Sequence, residues 1–332
     1  MTTTVELARP SSDEPTPQPL EVREDFGIAD NIYRWSVRAA GFGALALLFC
    51  IGFFLFFRGY PALQREGIKF FTQSGFQTLG NKPVYGVLAS LVGTLEVAGV
   101  AIIVGTPIGV CTALFLSEYA PVWSRRPLIA MVDLAAAIPS IVFGLWAIHE
   151  FEGNAVGFST WLSRHAAFIP FFHVTSPELD SSLFIAGIVV GIMVVPIIAS
   201  ISREVFSLAP PGEREAALAL GASRWQMIRA VVLPFGKGGV IGAVMLGLGR
   251  ALEETIVVSL ILASSFTWSL HILQHGGSTI SETIATSFDS GGKLGLQTLL
   301  MFGFVLFALT LVINLIASAI VNRSRSGSGV EL

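Results

Sequence analysis

The residues best suited to chemistry stand together at Arg250, Glu253 and Glu254. The acids follow the arginine at i+3 and i+4, so one continuous helix would bring both to it. An arginine is always protonated and presents five donors in a planar fork. That fork suits an oxyanion such as phosphate. The two acids can hold the guanidinium while the site is empty. They can also accept a proton from a protonated oxyanion, which fully deprotonated sulfate does not supply. The competing reading is a self-neutralising Arg–Glu pair that only lets its helix enter a membrane. Glu96 and Asp133 also lie in apolar runs. Each lines the same path, pairs with Arg250, or hydrogen-bonds a neighbouring helix. The hydroxyls of Thr94, Ser140 and Thr255 offer donors to an oxyanion, or serve as packing glue between helices. His271 and His275 share i, i+4 spacing but have no third ligand at a clear spacing, so no metal site is expected. No nucleophile–base arrangement stands out, and no catalysis is expected.

The elements that must position these groups are membrane helices. The 332 residues are 53% hydrophobic and only 13% charged, with a net charge of −3 and a mean hydropathy of +0.72. A soluble domain carries about 25% charged residues, and the slight negative charge argues against nucleic acid as a partner. Cys50 and Cys111 sit in apolar runs and give no disulfide framework. A spanning helix needs about 20 apolar residues. Six segments qualify: 37–57, 88–116, 127–148, 183–202, 239–263 and 299–321. The runs are continuous rather than alternating, which excludes a β-barrel. The spacing of Ile28, Ile32 and Trp35 fits a short interfacial helix or the start of the first span. Residues 1–30 hold four prolines and seven acids and read as a disordered acidic tail; 326–332 form a second tail.

Lys and Arg fix the expected orientation. With the N-terminus inside, the inner segments carry Arg9, Arg23, Arg34, Arg38, Arg125, Arg126, Arg203, Arg214, Arg224, Arg229, Lys237, Arg323 and Arg325. The outer loops carry only Arg58, Arg65, Lys69, Lys82, Arg164 and Lys293. The bias predicts both termini in the cytoplasm. The inner segment at 203–238 is more than a connector. Pro210-Pro211-Gly212 breaks the chain, and Glu213 and Glu215 then open a helix whose dipole they complement. Gly221 stops it. Ser223 and Gln226 make a capping-box pattern for a second helix, expected to end near Leu233-Pro234. The product is a helix–glycine–helix knuckle shaped to dock in a groove of another protein.

That knuckle resembles the EAA loop of ABC importer permeases. The resemblance is carried by Glu215, Ala216, Ala217 and Gly221, then Val231, Leu233 and Pro234 after nine residues. Val231 stands where the family usually has Ile. In that family the loop couples the permease to an ATPase. No G-x-x-x-x-G-K-[ST] loop occurs here, so ATP would act on a separate chain. Three more segments look like those of phosphate-specific permeases: Leu116–Pro121, Ala136–Trp146 and Gly249–Thr255. The long tail and added first span look like the PstC type. The resemblance implies an all-α type I ABC importer permease fold, with residues 31–325 as the transmembrane domain. It implies a multi-pass protein of the bacterial plasma (inner) membrane that passes inorganic phosphate. Implied partners are a PstA-like permease, two PstB-like ATPases holding ATP and Mg, and a PstS-like phosphate-binding protein, with no cofactor on this chain. The family's intramembrane Arg and Glu fall on Arg250 and Glu254, and Glu253 departs from its usual Gly. Three rivals stay open: a permease for sulfate or molybdate, a proton-coupled secondary transporter using Glu96 or Asp133, and a phosphate-status sensor.

Overall fold

The computed structural model describes residues 27–77, 84–289 and 292–325. Residues 1–26 of the tail expected over 1–30, the tail expected over 326–332, and Lys82 of the first outer loop lie outside the described residues. The chain falls into two units, Met1–Cys50 and Ile51–Leu332. Helix α1, Ile28–Glu66, is unbroken from its first turn, so Ile28–Asp30 belong to a helix rather than to a tail. In the first unit it exposes Phe42, Leu45 and Leu48. An exposed apolar surface of this kind is what a lipid-facing helix presents.

The second unit continues with a one-turn helix, α2, Lys69–Thr72. A hairpin of strands β1 (Ser74–Gln77) and β2 (Val84–Val87) follows, antiparallel, with Phe76 opposite Tyr85. Phe76 and Phe70 both stack edge-on against Phe302, with centroids 6.0 and 5.7 Å apart. This hairpin, inside the expected first outer loop, adds a small strand element to the helical fold.

Two helices form the centre. Helix α3, Leu88–Leu114, ends in a π-helical turn, Phe115–Tyr119. Its partner α7, Leu183–Ser207, is named after three intervening helices. Helix α4 is Val122–Ala136. Helix α5 is Ser140–Trp146, and α6, Glu152–His165, continues it through a π-turn. Hydrocarbon tails are as apolar as leucine, so helices in a membrane associate by close packing rather than by escape from water. Glycine notches supply that closeness between α3 and α7. A Cβ on Gly105 would lie 2.9 Å from the Gly191 carbonyl, and one on Gly187 2.6 Å from Val100. Val97, Ala101, Val190 and Val194 are buried around them.

The third expected span, 127–148, is not one helix. Helices α4 and α5 meet at a bend of 89°. Proline lacks an N–H and pushes its predecessor out of the helical region. Pro139 is therefore the outer cap of α5, in extended geometry. Pro107 and Pro196 stay inside α3 and α7. Among the described residues, five helices are long and apolar enough to cross a membrane, or six if the bent pair counts as one.

The knuckle begins with α8, Pro211–Ala219, and α9, Arg224–Met227. The second helix does not end at Pro234. A π-turn, Ile228–Val232, joins α9 to α10, Leu233–Leu252, and the helical span runs unbroken from Arg224 to Leu252. Pro234 sits in the first turn of α10, where the wider π-turn before it absorbs the missing donor. The fifth span thus starts well before Gly239, and it breaks at Glu253–Thr255 before α11, Ile256–Ile261. No proline causes this break. The Glu254 carboxylate takes the Val257 N–H at 3.3 Å, and Thr255 Oγ1 donates to the Glu253 carbonyl at 3.1 Å. Such side-chain bonds compete with the helical ladder. Helices α12, Ile280–Ser287, and α13, Gly292–Arg325, complete the fold.

Candidate functional site

Arg250 occupies the last turn of α10, and Glu254 lies just beyond the helix end. Their ion pair is 3.4 Å, Nη2 to Oε2, with the arginine side chain 48% exposed and the glutamate 2%. The pair spans the end of the helix, with Arg250 in the last turn and Glu254 in the break. Glu254 is fixed twice, by the guanidinium and by the Val257 N–H. Glu253 is exposed. The two acids therefore differ: Glu254 is a buried anchor, and Glu253 faces open space.

That space is a groove of about 780 Å³, lined by Gly249, Arg250 and Glu253 beside Ile197 of α7 and Asn314 and Ser318 of α13. Its polar side chains make a complementary set. Arg250 only donates, a carboxylate at Glu253 only accepts, and Asn314 and Ser318 do both. An oxyanion carrying one proton matches all four. An unprotonated tetrahedral oxyanion would face the Glu253 carboxylate without a proton to share.

The other expected residues are scattered. Glu96 on α3 makes no ion pair with Arg250, and both carboxylate oxygens are buried without a hydrogen-bond partner among the described residues. Asp133 on α4 accepts from Ser200 Oγ of α7 at 2.9 Å, a helix-to-helix bond. Ser140 opens α5, and Thr255 lies in the break. His275 pairs with Asp180 at 3.2 Å.

The knuckle folds as its residues dictate. Gly221 has φ +86°, and its N–H bonds the Leu218 carbonyl while Ala222 bonds that of Ala217, closing α8 in a Schellman turn. Ser223 and Gln226 exchange both bonds of a capping box. Ala217 and Leu233 pack on a cluster of Ala113, Phe206, Met227 and Val232. Glu215 and Ala216 are exposed, and Val231 is half-buried. Leu218, Leu220 and Trp225 also stand exposed, an apolar set at the tip with nothing over it among the described residues.

The family model of binding-protein-dependent transport system inner membrane components matches residues 105–326. The chain belongs to that family. It is 37% identical over 324 residues to the phosphate transport system permease protein PstC 2 of Mycobacterium tuberculosis, covering 95% of this chain and 99% of that one. It is 35% identical over 298 residues to the phosphate transport system permease protein PstC of Xylella fastidiosa, covering 89% and 91%. Among solved structures, the inward-facing MetNI methionine ABC transporter aligns at 19% identity over 72% of this chain and 94% of that one, with a TM-score of 0.48.

This transport component holds polar residues that sequence reasoning missed. Asn314 and Ser318 enter the groove from a helix far along the chain, and no local pattern marks them. Glu282 of α12 is buried and bonded by the hydroxyls of Ser264, Thr283 and Thr286. It stands in a run of serines and threonines, Ser278 to Ser287, whose composition does not single it out.

Proposed function

We propose that this chain is the permease subunit of an ATP-driven importer of inorganic phosphate in a bacterial plasma membrane. It lines the translocation pathway together with a second, PstA-like permease. Two PstB-like ATPase chains carry ATP and Mg and dock on the knuckle at 203–238, on the cytoplasmic side. A PstS-like binding protein delivers phosphate from outside, and this chain hydrolyses nothing itself.

One observation carries the reading: Arg250, anchored by buried Glu254, opens its guanidinium into a groove it shares with Glu253. Near neutral pH phosphate keeps a P–OH, and sulfate has none. Phosphate therefore offers oxygens to Arg250 and a proton to Glu253. The names of the curated relatives support the same substrate. The path to the ATPase is direct, because the helix that carries Arg250 is the one that leaves the knuckle. From Arg224 to Leu252 it spans about 40 Å. A push on the tip reaches the Arg250 turn through one continuous rod.

The test is labelled-phosphate uptake, with sulfate as competitor, in cells lacking their own high-affinity phosphate permease. The chain is supplied with its partner subunits as wild type, Arg250→Gln and Gly221→Asp. Uptake by the wild type is expected to be phosphate-selective. Arg250→Gln should lower it at least about tenfold, the scale of a lost hydrogen-bonded charge. Gly221→Asp should abolish it while the chain still inserts. Unchanged uptake in Arg250→Gln would sink the site. Sulfate uptake by the wild type would sink the substrate.

A further inference from the structure

The π-turn that ends α3, Phe115–Tyr119, is gripped from two sides by the knuckle. On one side Arg214 of α8 places Nη1 3.1 Å from Oε1 of Glu118, whose side chain is only 6% exposed. The same guanidinium donates through Nη2 to the carbonyl of Phe206, in the last turn of α7. On the other side Arg224, the first residue of α9, stands 5.6 Å over the ring of Tyr119. Between these contacts Ala113, Phe206, Ala209, Met227 and Ile228 form one buried cluster. Three helices, α3, α7 and α8, are joined at a single point by one arginine, one carboxylate and one carbonyl, and the α9–α10 rod adds Arg224, Met227 and Ile228 beside them.

We propose that Glu118 is a positioning residue for ATPase coupling. Through Arg214 it locks α8 to the ends of α3 and α7, so that movement of the docked knuckle shifts those two helices together with α10. This rests on the coupling role given above to residues 203–238. The chemistry favours a lock over mere adhesion. An apolar contact between helix ends can slide, whereas this guanidinium is hydrogen-bonded to the Phe206 carbonyl and ion-paired with Glu118, which holds the two helix ends at a set distance. Low exposure keeps the pair largely unscreened by salt. The π-turn suits the role as well, since such turns occur where a helix must yield locally. Without the lock, α10 still receives the push, but α3 and α7 need not follow. ATP would then be hydrolysed without productive rearrangement of the pathway walls.

The experiment uses the full complex, this chain with its partner permease, ATPases and binding protein, in proteoliposomes. It reads phosphate uptake per ATP hydrolysed and the amount of ATPase that co-purifies. Glu118→Gln keeps the shape and removes the charge. It is expected to retain the ATPase within about twofold and to lose at least tenfold in uptake per ATP. Arg214→Gln should do the same, and the double variant should be no worse than the poorer single one. Glu118→Asp, which keeps the charge, should recover at least half of the wild-type ratio. An unchanged ratio in Glu118→Gln overturns the inference. So does loss of the ATPase from the complex, because the pair would then serve docking and not transmission. Gly221→Asp separates the two levels. If it leaves uptake intact, the coupling role of the loop itself fails; if it abolishes uptake while Glu118→Gln does not, only the lock fails.

Discussion

At the scale of single residues, Glu253 and Glu254 are neighbours with opposite environments, and their variants should part company. Glu254→Gln keeps an acceptor for the Val257 N–H, so the helix break survives, but Arg250 loses the charge of its buried anchor. The buried acid argues for a large effect, but the half-exposed arginine discounts it, to about 1–2 kcal/mol of stability. Thermal unfolding in detergent measures that loss, and maximal uptake should fall with it. Glu253→Gln should leave unfolding within about 0.5 kcal/mol, the range of an exposed substitution. Its mark should be in selectivity: sulfate becomes a better competitor against phosphate, while arsenate, which also carries a proton, competes as before. Equal sulfate inhibition of the variant and the wild type would remove Glu253 from recognition. Asn314→Leu should raise the KM for phosphate about tenfold, the scale of one lost hydrogen bond to a charged group, with no change in the amount of assembled complex. Arg250 and its acids were legible in the sequence because three ionisable groups in an apolar run are conspicuous. Their separate roles were not, because periodicity alone continues the helix through Glu254. Asn314 was invisible, since an amide late in a sixth span becomes notable only when folding brings it beside Arg250.

Among the elements, the α3–α7 contact makes a sharp contrast between two glycines of one helix. At Gly105 a new Cβ meets the Gly191 carbonyl at 2.9 Å, and at Gly99 it meets nothing within 4 Å. Gly105→Val should force the helices apart and cost about 1–3 kcal/mol, as overpacking does. Gly99→Ala should be neutral or stabilise by up to about 1 kcal/mol through helix propensity. Unfolding temperature and folded yield in membranes report both, and equal behaviour of the two variants would deny the close contact. The knuckle was the most legible element, because Gly221, Ser223 and Gln226 are local signals read by their own backbone. The broken third span was less so. Pro139 was visible inside it, but apolar residues run on both sides, and composition does not distinguish a kink from an 89° turn. The end expected at Pro234 failed for a related reason. Pro234 falls in a first turn that follows a π-turn, where its missing N–H leaves the helix intact, and π-turns leave no mark in the sequence.

For the whole molecule, the open side of the groove matters most. Ser318 and Asn314 are exposed at its edge, and Arg250 is half-exposed. A permanently charged side chain facing hydrocarbon costs several kcal/mol, so the isolated chain presents a wall that needs a facing surface. A second permease laid over α10 and α13 would turn the groove into a closed path and remove that cost. The two cysteines, Cys50 and Cys111, are free and exposed and must first be replaced by alanine. A cysteine introduced by Ser318→Cys should then react with a water-soluble maleimide when this chain is purified alone in detergent. In the assembled complex the rate should fall at least fivefold. Addition of the ATPase without the second permease should leave it fast, because the knuckle lies at the other end of the α10 rod. Equal rates in all three preparations would mean that the groove is not the face where the permeases meet, and Arg250 would then line the path from one side only.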